Sequence, residues 1–181
     1  PRRDVGCEVR GTTPQNRYKA DVRETKFLLF EQFPIEPLLG KAPFEAWGRD
    51  ECSMVLDESY KWRCDVVGPL NAVGDREGCS IVDGRVKTPT GFKDAWASLF
   101  QAGWKGLAAA PEYDGQGAPY SLTCAVEEFL CGSNPAFNMY PGLAQGAAEV
   151  IAHFGTKKQK DLYVRRMIHG TWGGTMCLTE P

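Results

Sequence analysis

The sequence has no long apolar run and no strong excess of charge of either sign, and these two absences exclude whole classes of protein. No stretch approaches the roughly 20 apolar residues that a transmembrane helix needs, so we expect no membrane span. The 21 basic and 23 acidic residues give a formal net charge of −2. A nucleic-acid-binding domain is expected to be clearly basic, so the composition gives no support to nucleic-acid binding.

Motifs for metals and for common nucleophiles are missing as well. The seven cysteines are scattered and form no Cys-x-x-Cys pair, which argues against structural zinc and against a disulfide framework. Unpaired thiols are typical of a reducing compartment, so we expect a cytoplasmic protein without a metal site. No Gly-x-Ser-x-Gly or Gly-x-Gly-x-x-Gly string occurs, so neither a hydrolase elbow nor a dinucleotide-binding turn is indicated.

Apolar spacing predicts about six helices. Residues three or four apart repeat as apolar, which is typical of one buried helical face. The predicted segments are a stretch from Val22 that ends at Pro34, residues 44–67, residues 92–100 with Gly103 as the cap, residues 120–132, residues 143–154, and a last helix that the capping box Thr156-x-x-Gln159 opens and His169-Gly170 ends. In the last helix, Leu162, Tyr163 and Met167 are expected to point inward.

Two segments depart from this pattern. Residues 68–91 are rich in glycine, proline, asparagine and aspartate, which favours a long loop or a short extended excursion. Residues 171–178 indicate the start of a strand. We therefore predict an all-α antiparallel bundle of about six helices with the first strand of a β domain beginning at the C-terminus. The predicted units are a poorly ordered segment 1–17, a helical domain 18–170 and the beginning of a β domain at 171–181.

Two charged groups are weak candidates for chemistry. Glu127 and Glu128 are adjacent on a predicted helix and therefore point about 100° apart, so that they cannot share a proton. A basic cluster within 157–166 could bind a phosphate, although such a run is more often a solvated face. Trp172 lies among glycines at the predicted helix-to-strand junction, where small residues would let a planar ligand approach the backbone.

Three strings carry a resemblance to one family. Residues 173–181 read GGTMCLTEP, residues 154–160 read FGTKKQK, and residues 103–117 contain GW, L and PEYDGQG in that order. In this order and at this spacing they resemble the N-terminal part of the acyl-CoA dehydrogenases. In that family the last string continues as Ala-Gly-x-Asp, and the sequence stops just before it. Asp114 replaces the family's usual glycine, and aspartate tolerates a positive φ better than most residues.

The first hundred residues resemble one subgroup of this family in particular. The strings YKADVR at 18–23, PLN at 69–71 and GDREGC at 74–79 resemble the larger acyl-CoA dehydrogenases with an extended N-terminus, a group that includes methylmercaptopropionyl-CoA dehydrogenases. The resemblance implies FAD as cofactor, an acyl-CoA substrate, an electron-transferring flavoprotein as partner and a homodimer or homotetramer.

Several residue roles follow from the resemblance. Thr179 matches a threonine that hydrogen-bonds the flavin, and Met176 and Leu178 match positions that pack on its ring. Glu128 and the residues Phe137 and Met139, in the loop expected after helix 120–132, fall where the family builds its acyl pocket. The implied reaction is α,β-dehydrogenation of an acyl-CoA thioester. The family's catalytic glutamate lies beyond the β domain, so no residue here is predicted as the base.

Two other functions remain open. A non-catalytic helical binding or dimerisation module is favoured by the bare helical pattern, and a chain of this length is expected to be inactive by itself. An acyl-CoA oxidase or a relative of the DNA-alkylation response would share the same motifs. The reactivity of reduced flavin with oxygen would separate the oxidase, and the balanced charge weighs against the DNA-associated relatives.

Overall fold

Helical segments account for most of residues 15–175, the part of the chain that the computed structural model describes. Several of them are joined end to end by a wider turn, so that they form six continuous stretches. The segments are α1 Val22–Phe27, α2 Arg49–Trp62, α3 Gly68–Glu77, α4 Phe92–Gln101, α5 Tyr120–Ser133, α6 Pro135–Phe154, α7 Lys157–Gln159 and α8 Arg165–Ile168. The prediction of an all-α architecture with about six helices is confirmed.

The predicted helix boundaries that rest on capping chemistry are also confirmed. Thr156 and Gln159 form a reciprocal capping box before α7, which satisfies two amides that the helix itself leaves unpaired. Gly103 takes the left-handed conformation after α4, with φ of 76°, as expected of a glycine just past a helix end.

The prediction of a loop throughout residues 68–91 is wrong in its first half. Residues 68–77 form α3, with Pro69 in its first turn, directly after the wider turn Arg63–Val67 that joins α3 to α2. Gly74 lies within that helix because a Cβ there would sit 2.8 Å from the Phe92 ring. The second half does contain an extended excursion, a hairpin of β1 Ser80–Val82 and β2 Arg85–Lys87 with Ile81 opposite Val86.

The start of α6 was also placed wrongly by the spacing argument. The helix begins at Pro135 and not near residue 143, since Asn134 accepts a hydrogen bond from the Phe137 amide at 3.0 Å and Pro135 is compatible with a first turn. Phe137 and Met139 therefore lie on the first turns of a helix and not in a loop.

The inward face of the last helix differs from the prediction. Met167 is buried, but Leu162 and Tyr163 are exposed. The reason is the wider turn Lys160–Val164 between α7 and α8, which changes the number of residues per turn and so rotates the buried face. Val164 is buried in place of the two predicted residues.

The core lies mainly between α2, α4 and α5. Phe129 of α5 packs edge to face against Tyr60 of α2, with ring centroids 5.6 Å apart. A second cluster joins Phe92 of α4 to Phe137 of α6 at 5.5 Å. Within the described residues, no helix combines the length and the apolar character that crossing a membrane requires.

Candidate functional site

A cleft of about 380 Å³ runs along one face of α6. We call it the α6 cleft and define it by α6 residues 141–153, by α8 with Val164, and by the segment 105–113. Three alanines on α6, at residues 144, 148 and 152, recur every fourth position and so share this face. Their small side chains leave the space between α6 and the opposite wall open.

A buried ion pair closes one part of the cleft wall. Lys105 lines the cleft, and its Nζ donates to Glu127 Oε2 at 2.7 Å and to Asn138 Oδ1 at 3.4 Å. Only 3% of the Lys105 side chain is exposed. Burial lowers the pKa of Lys105, and the neighbouring Glu127 carboxylate opposes that shift. Because one partner comes from the 104–106 turn and the other from α5, the pair ties the cleft wall to the core.

The loop 111–117 forms the rim of the cleft and is held by Asp114. This residue has φ of 64°, in the left-handed region. The sequence predicted that an aspartate here would tolerate a positive φ, and the backbone does adopt one. Its carboxylate accepts hydrogen bonds from Arg165 and lies 3.0 Å from His169 Nε2. These two contacts lower the pKa of Asp114. Arg165 also donates to the Glu112 carbonyl at 2.7 Å, so the last helical stretch fixes the rim from outside.

The last described residues return to the same cleft. Gly170 turns the chain with φ of 69°. The Arg166 guanidinium then lies over the Trp172 ring, with 4.5 Å between its central carbon and the ring centroid. Gly174 packs so closely on α6 that a Cβ would sit 2.9 Å from the Ala144 Cα and 2.8 Å from Met167 Cε. Ala144 and Met167 both line the cleft.

Comparison of the sequence with known proteins shows the family of the chain. The model of the acyl-CoA dehydrogenase N-terminal domain matches residues 81–171, about half of the chain. The chain belongs to the acyl-CoA dehydrogenase family. The match includes every residue that lines the α6 cleft, from Phe100 to Ile168.

Named acyl-CoA dehydrogenases from three bacteria are similar over nearly the whole chain. The 3-methylmercaptopropionyl-CoA dehydrogenase of Ruegeria pomeroyi is 32% identical over 91% of the chain, and a butyryl-CoA dehydrogenase of Syntrophomonas wolfei is 31% identical over 91%. The broad-specificity linear acyl-CoA dehydrogenase of Mycobacterium tuberculosis is 32% identical over 92%. The chain spans only 27–28% of the length of these relatives.

The residues predicted for the acyl pocket lie in three different surroundings of this acyl-CoA dehydrogenase domain. Phe137 is 1% exposed and borders a small apolar hollow with Phe92 and Trp96. Met139 is 67% exposed. Glu128 is exposed on α5, whereas its neighbour Glu127 points to Lys105. The residues predicted for the flavin, Met176, Leu178 and Thr179, lie outside the described residues.

Several residues that line the cleft were not predicted from the sequence as site residues. The alanines of α6 recur at a helical spacing, so this signal was present but not specific. Lys105 had no such signal, because its partner Glu127 is 22 residues away in the chain and many charged pairs could have formed. Within residues 15–175, no group of three or more potential ligand side chains could hold a metal ion.

Proposed function

We propose that the chain is the N-terminal helical part of an FAD-dependent acyl-CoA dehydrogenase, which introduces an α,β double bond into an acyl-CoA thioester. Membership of the family supports this proposal, and the relatives named above are all acyl-CoA dehydrogenases. The names of these relatives include short and linear acyl groups, and we infer the same substrate class for this chain.

One structural observation carries the proposal. Gly174 packs on Ala144 and Met167 at the wall of the α6 cleft, and the segment proposed to contact the flavin begins two residues later. Gly174 thus brings the chain to the cleft wall just before that segment, which supports the proposal of a shared site for flavin and acyl group.

The described residues next to this segment fit a large planar cofactor. A Cβ built on Gly173 meets nothing within 4 Å, so the backbone is open to a flat ring there. Trp172 beside it is 39% exposed. FAD would supply the hydride acceptor of the reaction. We propose that Thr179 hydrogen-bonds the flavin near N5 and that Met176 and Leu178 pack on its ring.

The α6 cleft is the proposed wall of the acyl site. Its alanine face and Val164 offer apolar surface to an acyl chain and exclude water from it, as concave ligand sites do. Glu128, Phe137 and Met139 stay proposed as further acyl-pocket residues, with Phe137 the one that borders an apolar hollow. No residue of this chain is proposed as the base, which we expect from another part of the protein.

The wider setting is also a proposal. We infer an electron-transferring flavoprotein as electron acceptor, a homodimer or homotetramer as the assembly, and a cytoplasmic location.

The protein expressed from its natural gene provides the test. We expect a yellow flavoprotein whose flavin absorbance bleaches when butyryl-CoA is added without oxygen. We expect the reading frame to continue past Pro181 with Ala-Gly-x-Asp. Rapid release of hydrogen peroxide in air would identify an oxidase instead. A protein that binds no flavin, or a stop codon directly after Pro181, would leave the non-catalytic helical module as the function.

A further inference from the structure

A groove lies between α5 and α6, and we call it the α5–α6 groove. Each helix contributes residues i, i+3, i+4 and i+7, which share one face of a helix. The lining residues are Tyr120, Thr123, Cys124 and Glu127 of α5, and Gly142, Gln145, Gly146 and Glu149 of α6. The groove adjoins the α6 cleft, because Gln145 and Glu149 line both. Its volume of about 280 Å³ is below the roughly 300–1,000 Å³ of sites for drug-sized ligands, so it suits one small group.

Two buried oxygen atoms on the α5 side of the groove lack a hydrogen-bond partner among the described residues. They are Thr123 Oγ1 and Glu127 Oε1. Thr123 is only 3% exposed, and Glu127 uses its other oxygen, Oε2, to accept from Lys105 at 2.7 Å. Buried polar atoms without a partner are uncommon in native proteins and cost free energy. Both oxygens can accept a hydrogen bond, so the group that they lack is a donor.

The α6 side adds a second carboxylate, that of Glu149. Its charge is the main cause that raises the pKa of Tyr120. Cys124, burial and Glu127 raise that pKa further, so these groups are electrostatic neighbours. Lys105 pairs with Glu127, whereas no basic side chain of residues 15–175 forms an ion pair with Glu149. A cleft lined by charge of one sign concentrates ions of the other sign, so the donor that fits here is a cation.

The glycines of the groove leave room for a carbon chain beside these charges. A Cβ built on Gly142 or on Gly146 meets nothing within 4 Å, so an alkyl group can lie along this stretch of α6. A metal ion is a poorer match for the groove, because the part of the chain that the structure describes contains no group of three or more potential ligand side chains. The groove therefore favours an organic cation.

We propose that the α5–α6 groove binds a primary ammonium group on an alkyl stem. An ammonium has three N–H donors and no acceptor. It donates to Thr123 Oγ1 and Glu127 Oε1, and the Glu149 carboxylate balances its charge. The stem lies over Gly142 and Gly146. A small alkylamine and a lysine side chain both carry this group.

The thiol of Cys124 measures the charge of the groove, because Cys124 is exposed and lines it. In the folded protein expressed from its natural gene, cationic 2-aminoethyl methanethiosulfonate should modify Cys124 about tenfold faster than the anionic 2-sulfonatoethyl reagent. Peptide mass spectrometry gives both rates, each corrected for the rate of the same reagent with 2-mercaptoethanol. Cys131 is exposed on the same helix outside the groove and should show no such preference.

A matched pair of variants assigns this preference to the groove. Glu149→Gln removes one carboxylate of the groove and should lower the preference by about two- to threefold. Glu58→Gln makes the same change of charge at an exposed position of α2 and should leave the preference unchanged.

Protection of Cys124 from neutral methyl methanethiosulfonate detects the bound ammonium. Butylammonium chloride should slow the reaction about threefold at twice its dissociation constant, whereas equal concentrations of sodium chloride or 1-butanol should not slow it. Thr123→Val removes one acceptor at similar volume and should weaken butylammonium binding about fivefold. Thr123→Ser keeps the hydroxyl and should keep the affinity.

A lysine analogue separates the two sources of the ammonium group. Protection by N-acetyl-lysine methylamide equal to that by butylammonium would identify a lysine side chain as the occupant, and protection by butylammonium alone would identify a free amine.

Three results would overturn the site. They are a Cys124 that does not react in the folded protein, equal corrected rates with the cationic and anionic reagents, and protection by sodium chloride equal to that by butylammonium. The readout requires neither flavin nor acyl-CoA, so its outcome is independent of the proposed enzymatic function.

Discussion

The helices α5 and α6 follow each other in the chain, and they use their apolar residues in opposite ways. Half of the 14 residues of α5 are buried, while α6 buries four of 20. On α6 the apolar side chains Met139, Val150 and Phe154 remain exposed, the last at 86%. An element that is apolar and yet uncovered is typical of a surface for another partner. The apolar face of α5 is thus covered by other described residues. In contrast, α6 leaves apolar side chains exposed that a further partner could cover.

The largest expected difference in stability between variants of the two helices comes from a pair of phenylalanines. Phe129→Ala on α5 should lower the free energy of unfolding by about 3–5 kcal/mol, because it leaves a cavity beside Tyr60. Phe154→Ala on α6 should change that free energy by less than about 0.5 kcal/mol, since the ring is exposed. Urea titrations followed by circular dichroism measure both. Equal losses in the two variants would remove the contrast between the helices.

A pair of lysines tests the buried ion pair between α5 and the cleft wall. Lys105→Met leaves the partly buried Glu127 without its cation, and we expect a loss of about 3 kcal/mol in the free energy of unfolding. Lys157→Met is the control, because Lys157 pairs with Asp161 at the surface, where such a pair contributes at most about 1 kcal/mol. If Lys105→Met is as mild as Lys157→Met in urea titration, the cleft wall does not depend on this pair.

Glycines on the two helices should respond to alanine with opposite sign. A Cβ at Gly132 of α5 would lie 2.5 Å from the Tyr18 ring, so Gly132→Ala should destabilise by about 1–2 kcal/mol. A Cβ at Gly142 of α6 meets nothing within 4 Å, so Gly142→Ala should stabilise by about 0.5–1 kcal/mol through helix propensity. Thermal unfolding of both variants is sufficient, and a destabilising Gly142→Ala would show that α6 is covered in this chain.

The smallest expected effect is the acid response of the cleft rim. Arg165 and His169 hold the pKa of Asp114 below its usual value. The contact is therefore complete above the unfolded pKa of about 4 and is lost as pH falls through the lower folded pKa. The Arg165 Nε–H resonance should report this step in a pH titration. Asp114→Asn tolerates the left-handed backbone and should abolish the step; a step that persists would assign it to another group.

Local chemistry explains which helices could be predicted. The capping box at Thr156 and the glycine after α4 act on backbone groups within one helical turn. The residues that set these helix ends are therefore neighbours in the sequence and can be recognised there. The segment 68–77 was missed because Gly68, Pro69 and Gly74 favour turns in general. In this fold, however, they begin a helix or make room for Phe92, and that contact is 18 residues away in the chain.

The candidate site was harder to predict because it rests on distant partners. Asp114 could be expected to tolerate a positive φ, but its contact with Arg165 crosses 51 residues. The acyl-pocket residues that the resemblance implied stay a prediction, whereas the close packing of Gly174 on Ala144 and Met167 is visible only in the fold.

A titration of the methyl groups of α6 tests the central claim most directly. In the protein expressed from its natural gene and labelled with ¹³C at alanine methyls, butyryl-CoA should shift the signals of Ala144 and Ala148, which line the α6 cleft. Ala125, buried on α5, should not move. This result would identify the α6 face as the wall of the acyl site. Saturating butyryl-CoA that leaves Ala144 and Ala148 unchanged would contradict the account.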